Sequence, residues 1–323
     1  MRTALAHRVT TILLSLLLAC QPDAAGPRPS ANVQANFSFA PDGWSEPVNM
    51  GPIINSTGGD VNSALSTDEL SLYMTSNRAG GLGATDIWVA HRDCIGCDWQ
   101  VPVNLGEPFN SAGQDAGPRL SNDGHLLFFQ SDRGRNAGIS YIYLSRRDNP
   151  NDDFGWSTPV LLGPDVNTSD GNQQAAFYLQ SAEDGPGNFY FNRSTLATPQ
   201  PEIYTVAITR DGQTLGPAVL VPELNVAASN DQHVTMRKDG REIFFSSDRA
   251  GGSGGFDLYT STRRSVHEPW STPVNLGPSM NTTSNDMQPS LSADGRTLIF
   301  SSNRLGGYGA NDLWISTRSP GNN

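Results

Sequence analysis

Lysine is almost missing from this 323-residue chain: Lys238 is the only one, and the remaining side-chain positive charge is arginine. With 21 basic against 32 acidic residues the formal net charge is -11, which disfavours nucleic acid or an anionic lipid surface as a partner. Cysteine is scarce too, with three residues, Cys20, Cys94 and Cys97. The C-x-x-C of Cys94 and Cys97 has no second pair to complete a zinc site and no strand–helix pattern around it. It reads as a loop disulfide formed after export, with a redox motif or half a metal site as the alternatives. Long apolar runs are also absent. The only candidate, TTILLSLLLA, is too short for a stable membrane span. No G-x-S-x-G elbow indicates a serine hydrolase, and no D-x-D-x-D-G run indicates an EF-hand loop.

Glycine and proline are plentiful, at 33 and 22 residues, as many turns and few helices require. They fall into a repeat. Trp270–Arg318 begins WSTPVNLGPSMN and ends GGYGANDLWISTR, and related units start at Trp44, Trp99 and Trp156. A fourth unit, Asp211–Arg264, lacks the tryptophan but keeps KDGREIFFSSDR and FDLYTSTRR. A period of about 55 residues, five times over, predicts a repeat architecture. Within a unit, an alternating run meets an Asp-Gly pair and then TLIFSS, which is two strands joined by a tight hairpin. A Gly-rich turn leads to a third strand, DLWIS. W-x-x-P-V-N-L-G supplies a fourth, whose proline suits an edge. Four antiparallel strands repeated radially make a β-propeller blade. The expected fold is therefore all-β, a five-bladed β-propeller over residues 44–318. The last unit ends after its third strand, and Trp44–Met50 is predicted to pair into that blade and close the ring.

The pattern N-D-x-x-P-S-L-S-x-D-G-R-x-L-x-F-S-S-N-R-x-G-G-x-x-D-L-W resembles the WD-like propeller repeat of the TolB type, found in a periplasmic protein and in many envelope lipoproteins. The resemblance covers roughly residues 44–318. It implies a binding or scaffold module of the bacterial envelope. Residues 1–19 fit a signal peptide with a basic start at Arg2 and Arg8. Leu17-Leu18-Ala19-Cys20 resembles a lipobox, with Cys20 as the lipidated residue; an ordinary signal peptide with an incidental Cys20 is the alternative. Gln21 after the cysteine implies sorting to the outer membrane. Residues 20–43 read as a flexible tether, and 319–323 as a tail.

Two recurrent sets of residues invite a function. Arg78, Arg133, Arg193, Arg249 and Arg304 follow the second strand, and an acid comes eight or nine residues later at Asp86, Glu202, Asp257 and Asp312, with Tyr141 in the second unit. An ion pair pinning each Gly-rich loop is expected. These loops lack the helix and Lys-Ser/Thr of a phosphate cradle. The second set opens each innermost strand: Asp60, Asp115, Asn172, Asp231 and Asp286. Strand alternation would place Asn62, Gln174, His233 and Gln288, then Arg119, Thr235 and Ser290, on the same face. The set is either a polar binding mouth or a ring of loop caps. Arg119 and His233, which vary between units, are the better functional candidates.

Three functions follow. The first is a lipid-anchored, monomeric ring binding an envelope protein, peptide or glycan, with no cofactor and no catalytic residue. The second is a glycan-active enzyme. One of Asp60, Asp115, Asp231 and Asp286 would be base or nucleophile, with Glu107 or Glu223 as acid, although the acids are near-identical repeats and Ser292–Gly295 lacks the extra residue of a sialidase-type box. The third, a Ca²⁺-organised scaffold, has the least support.

Overall fold

A computed structural model describes residues 43–134, 139–180 and 185–319. The signal peptide, Cys20 and the tether up to residue 42 lie outside the described residues. Among the described residues twenty strands form five four-stranded antiparallel sheets. The first blade is β2 (Asp60–Leu65), β3 (Ser71–Ser76), β4 (Asp86–His91) and β5 (Val103–Asn104). The second is β6 (Asp115–Leu120), β7 (Leu126–Ser131), β8 (Tyr141–Arg146) and β9 (Val160–Leu161). The third is β10 (Gly171–Leu179), β11 (Gly187–Thr195), β12 (Glu202–Ile208) and β13 (Val219–Leu220). The fourth is β14 (Asp231–Met236), β15 (Glu242–Ser247), β16 (Asp257–Thr262) and β17 (Val274–Asn275). The fifth combines β18 (Asp286–Leu291), β19 (Thr297–Ser302) and β20 (Asp312–Thr317) with β1 (Val48–Asn49) from the start of the ring.

The predicted closure is present. Val48 pairs with Ile315 and Asn49 with Trp314, and a bridge joins Trp44 to Arg318. The innermost strands β2, β6, β10, β14 and β18 neighbour one another in turn, and β18 returns to β2. A closed ring leaves the middle strands no open face, so both sides of each must be apolar. This is why TLIFSS and EIFFSS read as continuous rather than alternating runs. Five apolar clusters fill the five blade junctions, and neighbouring residues of one strand go to different clusters. Tyr73 packs towards the second blade with Phe129, whereas Leu72 and Met74 pack towards the fifth with Ile299 and Leu313.

The outer strands are only two residues long, and side chains finish what they leave undone. In each blade an asparagine (Asn55, Asn110, Asn167, Asn225, Asn281) accepts from a backbone N–H of the third strand and donates to the same residue's carbonyl. Its amide thus imitates one more pair of strand bonds. The Trp of four units also meets the Arg that directly follows a third strand: Arg92 lies over Trp99, Arg147 over Trp156, Arg263 over Trp270 and Arg318 over Trp44, at 4.1 to 4.7 Å. Each guanidinium also donates through Nε to a carbonyl of its hairpin, at Glu69, Gly124, Gly240 and Gly295. These clamps lie on the lower face. The upper face is where the innermost strands begin and the Gly-rich loops turn.

Candidate functional site

At the upper face the arginines take partners other than those the spacing suggested. Arg78 Nη2 contacts Asp60 Oδ1 at 2.6 Å, and the same distance joins Arg133 to Asp115, Arg249 to Asp231 and Arg304 to Asp286. The acid lies on the paired innermost strand, 18 residues upstream, rather than eight or nine residues downstream. The antiparallel register explains it: Asp60 is directly opposite Ser76, two residues before Arg78. Arg133 is accordingly engaged, although its unit carries Tyr141 in place of the loop acid. Each guanidinium also rests on aromatic rings of its own blade, as Arg249 does on Phe245 and Tyr259.

The loop acids do a different job. Asp86 accepts from the N–H groups of Leu82 and Gly83, Asp257 from Ser253 and Gly254, and Asp312 from Tyr308 and Gly309. They hold the Gly-rich loops through backbone bonds, and an outer-strand asparagine (Asn104, Asn275, Asn49) donates to each. Glycine is required here by contact between blades. A Cβ on Gly83, Gly254 or Gly309 would stand 1.9, 1.9 or 1.8 Å from a backbone oxygen of the next blade's entry loop.

The four innermost-strand aspartates are buried to within 1 % of full occlusion. Their second oxygens are used as well. Asp60 Oδ2 accepts from the N–H and hydroxyl of Ser56, Asp115 Oδ2 from those of Ser111, Asp286 Oδ2 from those of Thr282, and Asp231 Oδ2 from the N–H of Val226. The third blade departs by one residue from the expected equivalence of Asn172. Gln173, not Asn172, occupies the aspartate position: its N–H donates to Ser140 and its side chain to Thr168. The asparagine-to-acid spacing of six seen in the fourth unit was the signal that could have located it. Asn172 instead accepts from the N–H of Ser140. Arg193, lacking a carboxylate there, donates to the carbonyls of Asp165 and Val166, and burial lowers its pKa.

Simple alternation fails beyond the acid because every innermost strand carries a β-bulge. The register slips between Val61 and Ala64, Ala116 and Arg119, Gln174 and Phe177, Gln232 and Thr235, and Met287 and Ser290. Its first residue is Asn62, Gly117, Ala175, His233 or Gln288, each with φ between 49° and 65°. Only Gly117 adopts that conformation without a Cβ penalty. Each of these residues sends its N–H into the preceding blade, to Ser301, Thr75, Gln130, Asn192 and Ser246 in that order. Asn62, His233 and Gln288 are therefore in equivalent positions around the axis. Gln174 precedes its bulge and pairs in register with Asn192, leaving Ala175 in the third blade's place.

Arg119 enters the centre of the ring from the second blade. Its guanidinium donates to the carbonyl of Ser63 in the first blade, to that of Pro118, and to Pro289 in the fifth at 3.0 Å. Among the described residues no carboxylate pairs with it, and burial alone moves its pKa down to about 10. His233 is pushed down to about 3 by burial and then by the Arg119 charge, so it is neutral at physiological pH. Around this cation Asn62 Oδ1, Ser63 Oγ, His233 Nδ1 and Gln288 Oε1 are buried without hydrogen-bond partners among the described residues.

The whole ring matches solved propellers. Over 84% of this chain and 98% of the other, it superposes on a thermostable family-43 glycoside hydrolase with a TM-score of 0.58 at 15% identity. An endo-arabinase from Bacteroides thetaiotaomicron gives 0.59 at 15% identity over 83% and 99% of the two chains. An α-L-arabinofuranosidase from Lactobacillus brevis gives 0.57 at 13% identity over 83% and 92%. At such identities the likeness is one of fold: a five-bladed propeller. No protein-family model matches the chain and no curated protein matches it, so the TolB-type resemblance stands on its motifs alone.

The other predicted positions are scattered. Cys94 and Cys97 form a disulfide in the lower-face loop of the first blade. Glu107 is exposed and Glu223 half-buried, both in entry loops of the upper face. Among the described residues no group of three His, Cys, Asp or Glu side chains is arranged to hold a metal ion.

Proposed function

We propose that the ring binds a glycan on its upper face, over the axial layer of Asn62, His233, Gln288 and Arg119, and does not cleave it. The observation that carries this reading is the division of labour among the polar groups. All four innermost-strand aspartates are consumed by arginine and backbone partners, whereas the axial layer holds hydrogen-bonding atoms without partners. A sugar, rich in hydroxyls that both donate and accept, matches such groups. The glycoside hydrolases among the solved structures favour a carbohydrate over a protein or peptide.

The same neighbours support a second reading, hydrolysis, which needs two carboxyl groups facing one bond about 5–10 Å apart. Extracting an aspartate from its arginine would leave an uncompensated buried charge, so the binding reading ranks first. Isothermal titration and product analysis of the full chain with arabinan and xylan oligosaccharides separate the two. Binding without new reducing ends is expected; turnover lost in Asp60→Asn or Asp231→Asn would establish the enzyme. We further propose anchorage in the outer membrane through a lipid on Cys20, supported by the sequence Leu17–Cys20 and tested by fatty-acid labelling of a Cys20→Ser variant, which should take up no label.

A further inference from the structure

The glycan reading leaves open what kind of sugar the axial site would take, and on that reading Arg119 narrows the class. A buried guanidinium is normally accompanied by a carboxylate, as the other four inner arginine–aspartate pairs are. Arg119 has none among the described residues: it is 5% exposed, and its partners are three backbone carbonyls carrying no net charge. A guanidinium has five N–H donors. Three hydrogen bonds leave two, the number a carboxylate accepts bidentately. Nothing in the repeat demands the residue, because Ala64, Thr235 and Ser290 take the equivalent place after the bulge in other blades.

The neighbours of Arg119 complete the argument. His233 is held neutral, so it adds no second charge and presents an unpartnered Nδ1. Asn62 and His233 are each more than nine-tenths buried, and with Gln288 they present unpartnered atoms from bulges in the first, fourth and fifth blades. A cation with no carboxylate partner among the described residues thus sits among groups that need hydroxyl partners. We infer that the axial site recognises a sugar acid, a uronate-type residue whose carboxylate pairs with Arg119 while its hydroxyls engage Asn62, His233 and Gln288.

The test compares galacturonate with galactose, and acetate with both, as ligands of the full chain in thermal-shift and calorimetric titrations. Galacturonate should raise the melting temperature where equal concentrations of galactose or acetate do not, since only it meets both halves of the site. In Arg119→Gln its affinity should fall at least about tenfold, the loss expected for a charge-assisted contact. Arg119 also ties three blades together, so that variant's fold is checked by its far-ultraviolet circular dichroism. If it does not fold, Asn62→Ala, which keeps the cation, should weaken galacturonate binding instead. Equal shifts by galactose and galacturonate would overturn this inference while leaving glycan binding intact. An acetate shift as large as that of galacturonate would also overturn it. Failure of every sugar tested, neutral and acidic, would remove the glycan reading as well.

Discussion

Asp231 shows how much one side chain can be made to do. It opens β14, neutralises Arg249 at 2.6 Å and caps the N–H of Val226, all in full burial. Replacing it with alanine strands a guanidinium against two aromatic rings, and breaking a buried pair costs about 3–5 kcal/mol. Urea unfolding of Asp231→Ala should show that loss; a change below about 1 kcal/mol would mean the pair contributes little to the fold. His233 offers the second test. Its pKa is about 3 in the folded ring against an ordinary value of 6.5. Between those limits the unfolded chain binds a proton that the native ring refuses, so stability falls as pH drops below about 6.5, by up to about 1.4 kcal/mol per unit. In His233→Asn that part of the slope should vanish, as read from urea midpoints between pH 7 and 4.5. An unchanged slope would assign the acid sensitivity to other groups.

Elements explain where the sequence was readable and where it was not. Strand order, the Asp-Gly hairpins and the closing role of Trp44–Met50 were all legible, because they rest on turn chemistry and on a unit repeated five times. The arginine partners were not, because distance along the chain says nothing about who lies opposite in an antiparallel register. Nor was the bulge, which moves Asn62, His233 and Gln288 out of simple alternation without a composition signal; five different residue types adopt the same left-handed turn. The Gly-rich loops read as turns, but the reason for their third glycine is a neighbouring blade's backbone. Gly254→Ala would drive a Cβ to 1.9 Å from Ser284's carbonyl oxygen and force the two blades apart. A loss of about 1–3 kcal/mol is expected, measured by thermal or urea unfolding. A variant as stable as the parent would show that the junction yields freely.

At the scale of the molecule, five blade junctions share one closed circuit, and the junction between the fourth and fifth blades depends on a residue distant from both in sequence. Trp44 is fully buried there, edge-on to Phe244 and beneath Arg318. Trp44→Ala should lower stability by about 3–5 kcal/mol, within the usual range for losing a buried large aromatic. Because a ring missing one contact can still hold by the other four junctions, the transition should stay single in calorimetry. Two resolved transitions would instead show blades that unfold independently.

The closing strand also determines how the ring bears force. β1 enters from the lower face and runs upward beside β20, and the proposed ligand surface lies at the upper end. Tension between the incoming chain at Trp44 and a load held at the mouth is directed along β1, so its bonds to β20 must fail together, in shear. Tension between Trp44 and Arg318, the two adjoining ends of the circuit, would open the same bonds one after another from the bottom. The seam is strong in the direction in which a suspended binding ring would be pulled, and weak in the direction that would peel it open.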